Sequence, residues 1–106
     1  HLGGDALLKG IGQVLKTQLR ETDIVCRYGG DEFVIILPGV DLKGAQTAAE
    51  KVRQAVEQHP FERKATVSLG VAGYVPHLTQ YELILNADRA LYQAKLNGKN
   101  QVSVSE

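Results

Sequence analysis

The 106 residues carry twelve Lys and Arg against twelve Asp and Glu, with 43% hydrophobic and 23% charged side chains. Such a chain is one small domain or part of one, apolar enough to bury a core and therefore not disordered. Its zero net charge removes the strongest electrostatic argument for a nucleic-acid or membrane-surface partner, no apolar run approaches the length that spans a bilayer, and a lone Cys26 excludes an internal disulfide framework and suits a reducing compartment.

From Gly4 to Leu19 the apolar residues Leu7, Leu8, Ile11, Val14, Leu15 and Leu19 recur every three or four positions, which predicts an amphipathic helix. Asp5 falls in its first turn, where the helix dipole favours an anion. Asp23 to Tyr28 reads as a strand, with Cys26 packed in it rather than acting as a catalytic thiol. Glu32 to Leu37 reads as another strand, stopped by Pro38-Gly39. Between them Gly29-Gly30 suits a two-residue hairpin, because a type I′ turn needs positive φ at both positions. Asp41 caps a second helix running to about Gln58, with Ala45, Ala48, Ala49, Val52 and Val56 inward and His59-Pro60 ending it. Lys64 to Tyr74, rich in Val, Thr and Ser, predicts a strand. Thr79 and Glu82 make a capping-box pattern that opens a third helix, with Leu83, Ile84, Ala87, Leu91 and Ala94 inward. Gly98 suits its stop, and Lys95 and Lys99 lie near the negative end of its dipole. Gln101 to Ser105 reads as a last short strand.

Strands alternating with helices, plus one hairpin, imply an α+β sheet of mixed direction with helices packed on it. A hairpin flanked by helices is the heart of a ferredoxin-like βαββαβ arrangement. That pattern has a strand before the first helix, so a missing first strand, or a different fold, is expected.

The stretch Arg27-Tyr28-Gly29-Gly30-Asp31-Glu32-Phe33 poses a chemical question. Adjacent carboxylates at a turn repel unless something positive sits there. Hard divalent ions such as Mg²⁺ prefer carboxylate oxygens and commonly bridge to substrate phosphates. Glycines remove side chains and let a phosphate approach the backbone. The plainer alternative is a Gly-Gly turn followed by a solvated acidic pair.

Several ordered motifs add to this one. His1-Leu2-Gly3-Gly4-Asp5-Ala6-Leu7-Leu8 has the form H-x-x-G-D-x-x-L, and Arg20-Glu21-Thr22-Asp23 the form R-x-x-D. Ser68-Leu69-Gly70-Val71-Ala72 reads S-x-G-[VI]-A. The run Ala87 to Lys95, followed by Gly98-Lys99-Asn100, reads A-D-x-A-L-Y-x-A-K-x-x-G-[RK]-N. Together with RYGGDEF these resemble the GGDEF family, the diguanylate cyclases, across essentially the whole chain. The resemblance implies the nucleotide-cyclase palm, a fold of ferredoxin-like type, and the condensation of two GTP molecules into cyclic di-GMP.

By that resemblance Asp31 is the metal-binding carboxylate, also described as the catalytic base, and Glu32 the second acid at the Mg²⁺ or Mn²⁺. Gly29 and Gly30 are where the GTP phosphates approach the backbone. Asp5 reads guanine, since a carboxylate can accept from both N1–H and N2–H. Lys95 contacts the triphosphate, and Lys99 stands where the family often has Arg, keeping the charge but losing the fork. Arg20 and Asp23 form the inhibitory product site that binds cyclic di-GMP; read plainly they are an intrahelical or cap ion pair. An arginine that some relatives carry on the following helix falls on Lys51, with Arg53 nearby. Phe33, Leu91 and Tyr92 read as core residues, and His1, His59 and His77 show no metal spacing.

The family's first strand and helix, with a second metal-binding Asp and a guanine-reading Asn, would precede His1. The chain taken alone is therefore expected to be a poor cyclase. Catalysis implies a homodimer, and family habit implies an upstream sensory or receiver domain, in the cytoplasm or on the cytoplasmic side of a membrane-anchored protein. The alternative is a non-catalytic module that binds cyclic di-GMP or GTP. No nucleic-acid partner and no direct membrane contact are expected of this segment.

Overall fold

Local signals set the three helices. The computed structural model describes residues 2–29, 32–62 and 64–105, with side chains described from 6 to 25 and from 33 onward. Helix α1 spans Leu2–Gln18, and its apolar stripe buries Ile11, Val14 and Leu15. Helix α2 spans Leu42–Gln58, capped as expected by Asp41, whose carboxylate accepts from the Gly44 N–H at 2.7 Å. Ala49, Val52 and Val56 recur on its inner face and are buried. Helix α3 spans Gln80–Leu96 and opens on a complete capping box. The Glu82 N–H donates to Thr79 Oγ1 at 3.0 Å, and the Thr79 N–H donates to Glu82 Oε1 at 2.9 Å. It stops at Gly98, φ +118°, with the Lys99 N–H returning to the Ala94 carbonyl at 3.0 Å, the longer bond of a Schellman ending.

The strands are β1 (Ile24–Gly29), β2 (Glu32–Ile36), β3 (Leu69–Val71) and β4 (Val102–Val104), so the element order is the expected one. β1 and β2 pair antiparallel from Ile24 opposite Ile36 to Arg27 opposite Phe33. β3 and β4 pair parallel, with Leu69 opposite Val102 and Val71 opposite Val104. The α+β class holds, but the described strands form two separate pairs rather than one mixed sheet. The expected strand over 64–74 shrinks to three residues, because β4, its described partner, offers a ladder only three residues long. Residues 64–68 still contribute Ala65 and Val67 to the core.

That core lies on the seam between α1 and α2, where Ile11, Val14, Leu15, Val52 and Val56 form one cluster. Val25, Phe33, Ile35, Phe61 and Leu69 pack against it from the strands and loops. Helix α3 covers the β3–β4 pair through Ala90 and Ala94. Gly70 makes this possible. A Cβ there would overlap the Ala87 carbonyl oxygen and the Leu91 amide nitrogen, so strand and helix meet backbone to backbone. Phe33 and Leu91 are half-buried, in keeping with a packing role, but Tyr92 is 62% exposed and is not a core residue. Its position on α3 falls outside the stripe that Ala90 and Ala94 press onto the sheet.

Candidate functional site

The acidic hairpin is built by register. Gly29 is the Cα partner of Glu32 while Arg27 partners Phe33, so Tyr28 is an extra residue in β1 and the ladder is bulged beside the turn. Gly29 is therefore a strand residue of β1, paired with Glu32, and not the first residue of a two-residue loop. Gly30 and Asp31, and with them the type I′ turn, lie outside the described residues; so do the side chains of Asp5 and Glu32. The backbone places Asp5 in the N-terminal part of α1 and Glu32 at the first position of β2. A bulge at this point increases the local twist of β1.

Arg20 and Asp23 lie beyond the end of α1, in the connection to β1, and so are not an intrahelical pair. The Asp23 N–H donates to the Arg20 carbonyl at 3.0 Å, closing a turn. The Asp23 carboxylate then accepts from the Arg20 backbone N–H at 2.7 Å, and from Arg20 Nη2 at 2.8 Å and Nε at 3.2 Å. Asp23's side chain is only 3% exposed, whereas Arg20's is 55% exposed. The Arg20 side-chain hydrogen bonds hold the Asp23 carboxyl below the usual carboxylate range, against the opposing effect of burial. Arg20 Nη2 also donates to the Pro38 carbonyl at 2.9 Å, just past β2. A cavity of about 360 Å³ opens beside this pair, lined by Lys16, Leu19, Arg20, Glu21, Asp23 and Val25.

At the far end of α3, Lys95 lies in the last turn, and Lys99 follows Gly98 with φ +63°. Asn100 continues in the left-handed region at φ +49°. Its side chain is held from two sides: Nδ2 donates to Glu57 Oε2 at 2.6 Å, and Oδ1 accepts from Arg53 Nη1 at 3.0 Å. Its backbone N–H donates to Ser68 Oγ at 3.0 Å. Arg53 also pairs with Glu50 at 2.6 Å and Glu57 at 3.5 Å. The Asn100 hydrogen bond is the main reason that the Glu57 carboxyl titrates below its ordinary range. This clasp was not read from the sequence, since Arg53 and Asn100 are 47 positions apart; the signal on offer was Asn100 as the last letter of the G-[RK]-N motif. With its guanidinium given to Glu50, Glu57 and Asn100, Arg53 turns inward, whereas Lys51 is exposed.

A bulged hairpin, a forked Arg–Asp turn beside a cavity and two lysines at a helix end thus lie on one α+β domain. Comparison with protein families matches residues 1–101 to the GGDEF domain of diguanylate cyclases, so the chain belongs to the GGDEF family. It is 34% identical over 112 residues to Diguanylate cyclase A of Treponema denticola, covering the whole chain and 30% of that protein. It is 40% identical over 114 residues to the uncharacterized protein YhcK of Bacillus subtilis, covering 32% of it. The chain thus spans about a third of the length of these relatives. Among solved structures, the GGDEF domain of DgcB from Caulobacter crescentus in complex with c-di-GMP superposes with a TM-score of 0.92 at 28% identity, over 99% of this chain and 66% of that one. The active GGEEF domain of a diguanylate cyclase from Vibrio cholerae gives 0.89 at 28% identity, over 100% of this chain and 70% of that one.

Proposed function

We propose that the chain is the catalytic domain, or the greater part of it, of a diguanylate cyclase that joins two GTP molecules into cyclic di-GMP and releases two diphosphates. The observation that carries this reading is the bulged β1–β2 hairpin bearing Gly29-Gly30-Asp31-Glu32 in a chain that matches the family over residues 1–101. One GTP sits in each of two subunits, with each 3′-hydroxyl facing the other's α-phosphate, so a homodimer is the working unit. Gly29 and Gly30 admit the phosphates to the backbone. Asp5 accepts from the guanine edge, and Lys95 and Lys99 counter the triphosphate charge. The donor set of Asp31 and Glu32, two hard carboxylates, fits Mg²⁺ or Mn²⁺. When bound, such an ion neutralises phosphate charge and makes the attacking hydroxyl more acidic.

Product feedback is the second half of the proposal. Arg20, more than half exposed, offers its guanidinium plane to a phosphate or a guanine face, and Asp23, which Arg20 now holds, accepts from a guanine edge once that hold is exchanged for the ligand. The adjoining cavity supports this reading. Of Lys51 and Arg53 on α2, Lys51 is exposed, whereas Arg53 is internally paired. A second reading, a receptor that binds cyclic di-GMP without making it, is favoured by the same turn, because the Arg20–Asp23 pair lies outside the β1–β2 hairpin that bears the acids.

The test incubates the protein at its full natural length with GTP and Mg²⁺ and separates the products, beside an Asp31→Asn variant. Cyclic di-GMP from the first and none from the second is expected. No product from either, with cyclic di-GMP binding that Arg20→Ala abolishes, would overturn the cyclase reading in favour of the receptor.

A further inference from the structure

The segment after α3 holds the most unusual backbone among the described residues. Gly98, Lys99 and Asn100 take φ of +118°, +63° and +49° in succession, and two of the three are not glycine. Lys99 is disfavoured in this region and persists where its surroundings over-determine it, whereas Asn visits the region more readily. Here the surroundings are named. The Lys99 N–H is fixed to the Ala94 carbonyl at 3.0 Å, the Asn100 N–H to Ser68 Oγ at 3.0 Å, and the Asn100 amide is gripped by Glu57 at 2.6 Å and Arg53 at 3.0 Å. Glu57 and Arg53 belong to α2, the helix that supplies Val52 and Val56 to the core. The clasp therefore ties this segment to a helix anchored in the core. A helix stop alone needs only Gly98 and the Lys99 bond to Ala94. The grip on Asn100 is additional to that need, and it acts on the residue next to Lys99.

We infer that Asn100, held by Glu57 and Arg53, is a positioning residue that locks Lys99 in its left-handed conformation and so fixes its ammonium for a nucleotide phosphate. This rests on the reading of Lys99 as a phosphate contact. Asn100 touches no substrate in this scheme; it acts through Lys99. A flexible lysine loses rotamer and backbone freedom when it meets a phosphate, and a pre-set backbone reduces that loss.

The experiment is titration calorimetry of the full-length protein with 3′-deoxy-GTP and Mg²⁺, a nucleotide that cannot act as the attacking partner. Asn100→Gly keeps the positive φ without strain and removes only the clasp. It is expected to weaken binding about five- to tenfold, the scale of a partly lost charge-assisted contact. In a Lys99→Ala background the same change is expected to have almost no further effect, because its route to the phosphate is gone. Glu57→Ala should weaken binding as Asn100→Gly does, and Glu57→Gln, which keeps an oxygen for the Asn100 amide, should recover most of the loss. A merely structural role would lower the fraction of protein that binds and leave the affinity alone. Unchanged affinity in Asn100→Gly, or an equal loss in the Lys99→Ala background, overturns the inference. So does a wild-type protein that does not bind 3′-deoxy-GTP. Binding that follows the expected pattern in a protein that makes no cyclic di-GMP upholds the inference and overturns the cyclase reading alone.

Discussion

Replacing Gly70 with alanine tests the packing on which the α3 end of the site depends. The added Cβ would overlap the Ala87 carbonyl oxygen and Leu91 amide nitrogen and lie 2.8 Å from Leu91 Cα. All are backbone atoms, so no rotamer change relieves the clash. Carbon atoms settle at about 3.5–4.0 Å, so α3 must lift from β3 by about an ångström. That movement opens the seam where Ala90 and Ala94 are buried. Overpacking of this kind costs about 1–3 kcal/mol, occasionally more. The smaller unfolded-state entropy of alanine returns about 0.4–1 kcal/mol. A net destabilisation of about 1–2 kcal/mol is expected, which at a urea m-value of about 2 kcal/mol/M lowers the unfolding midpoint by about 0.5–1 M. Urea titration followed by far-ultraviolet circular dichroism reads this directly. An unchanged midpoint at unchanged slope would refute the backbone-to-backbone contact between β3 and α3.

Arg20→Ala should weaken cyclic di-GMP binding about tenfold or more, measured by calorimetry, because a charge-assisted fork is lost; equal affinity would remove the pair from the product site. Thr79→Ala and Asp41→Ala should each cost about 1 kcal/mol of stability in the same urea assay, as losses of an N-cap, and additively, since they cap different helices. The carboxyls of Asp23 and Glu57 are both held below their ordinary range by hydrogen-bonded partners. A lowered folded-state pKa contributes stability that is complete above the unfolded value and disappears as pH falls through the folded one. Asp23→Asn and Glu57→Gln should therefore make the acid side of the stability–pH curve, below about pH 4, shallower; a curve of wild-type steepness would refute the assigned hydrogen bonds.

The helices were legible because their signals are local. The stripe from Leu7 to Leu19, the Asp41 cap and the Thr79–Glu82 box each lie within a few turns of chain, and each appears in the structure. The strand lengths were not. β3 extends only as far as β4 can pair with it, and that partner lies more than thirty positions along the chain. Tyr92 was misread because a large aromatic near an inward face resembles core, whereas here alanines suffice for a helix brought close by Gly70. In the site, the type and order of the residues were readable as motifs. The forks of Arg20 and Arg53 were not, since rotamer and partner are fixed by the folded surroundings. Gly29 falls in the ladder opposite Glu32 because of the bulge at Tyr28, which alternation of side chains does not announce.

Arg20 does more than hold Asp23. Its Nη2 reaches Pro38, 18 positions further on, so the whole β1–β2 ribbon is a ring of chain stapled at its root. Asp23 enters the ribbon and Pro38 leaves it, and one guanidinium grips both. A molecule that bonded to Nε or Nη2 would have to displace one of those two partners. The root of the β1–β2 ribbon and one wall of the cavity thus share a single side chain.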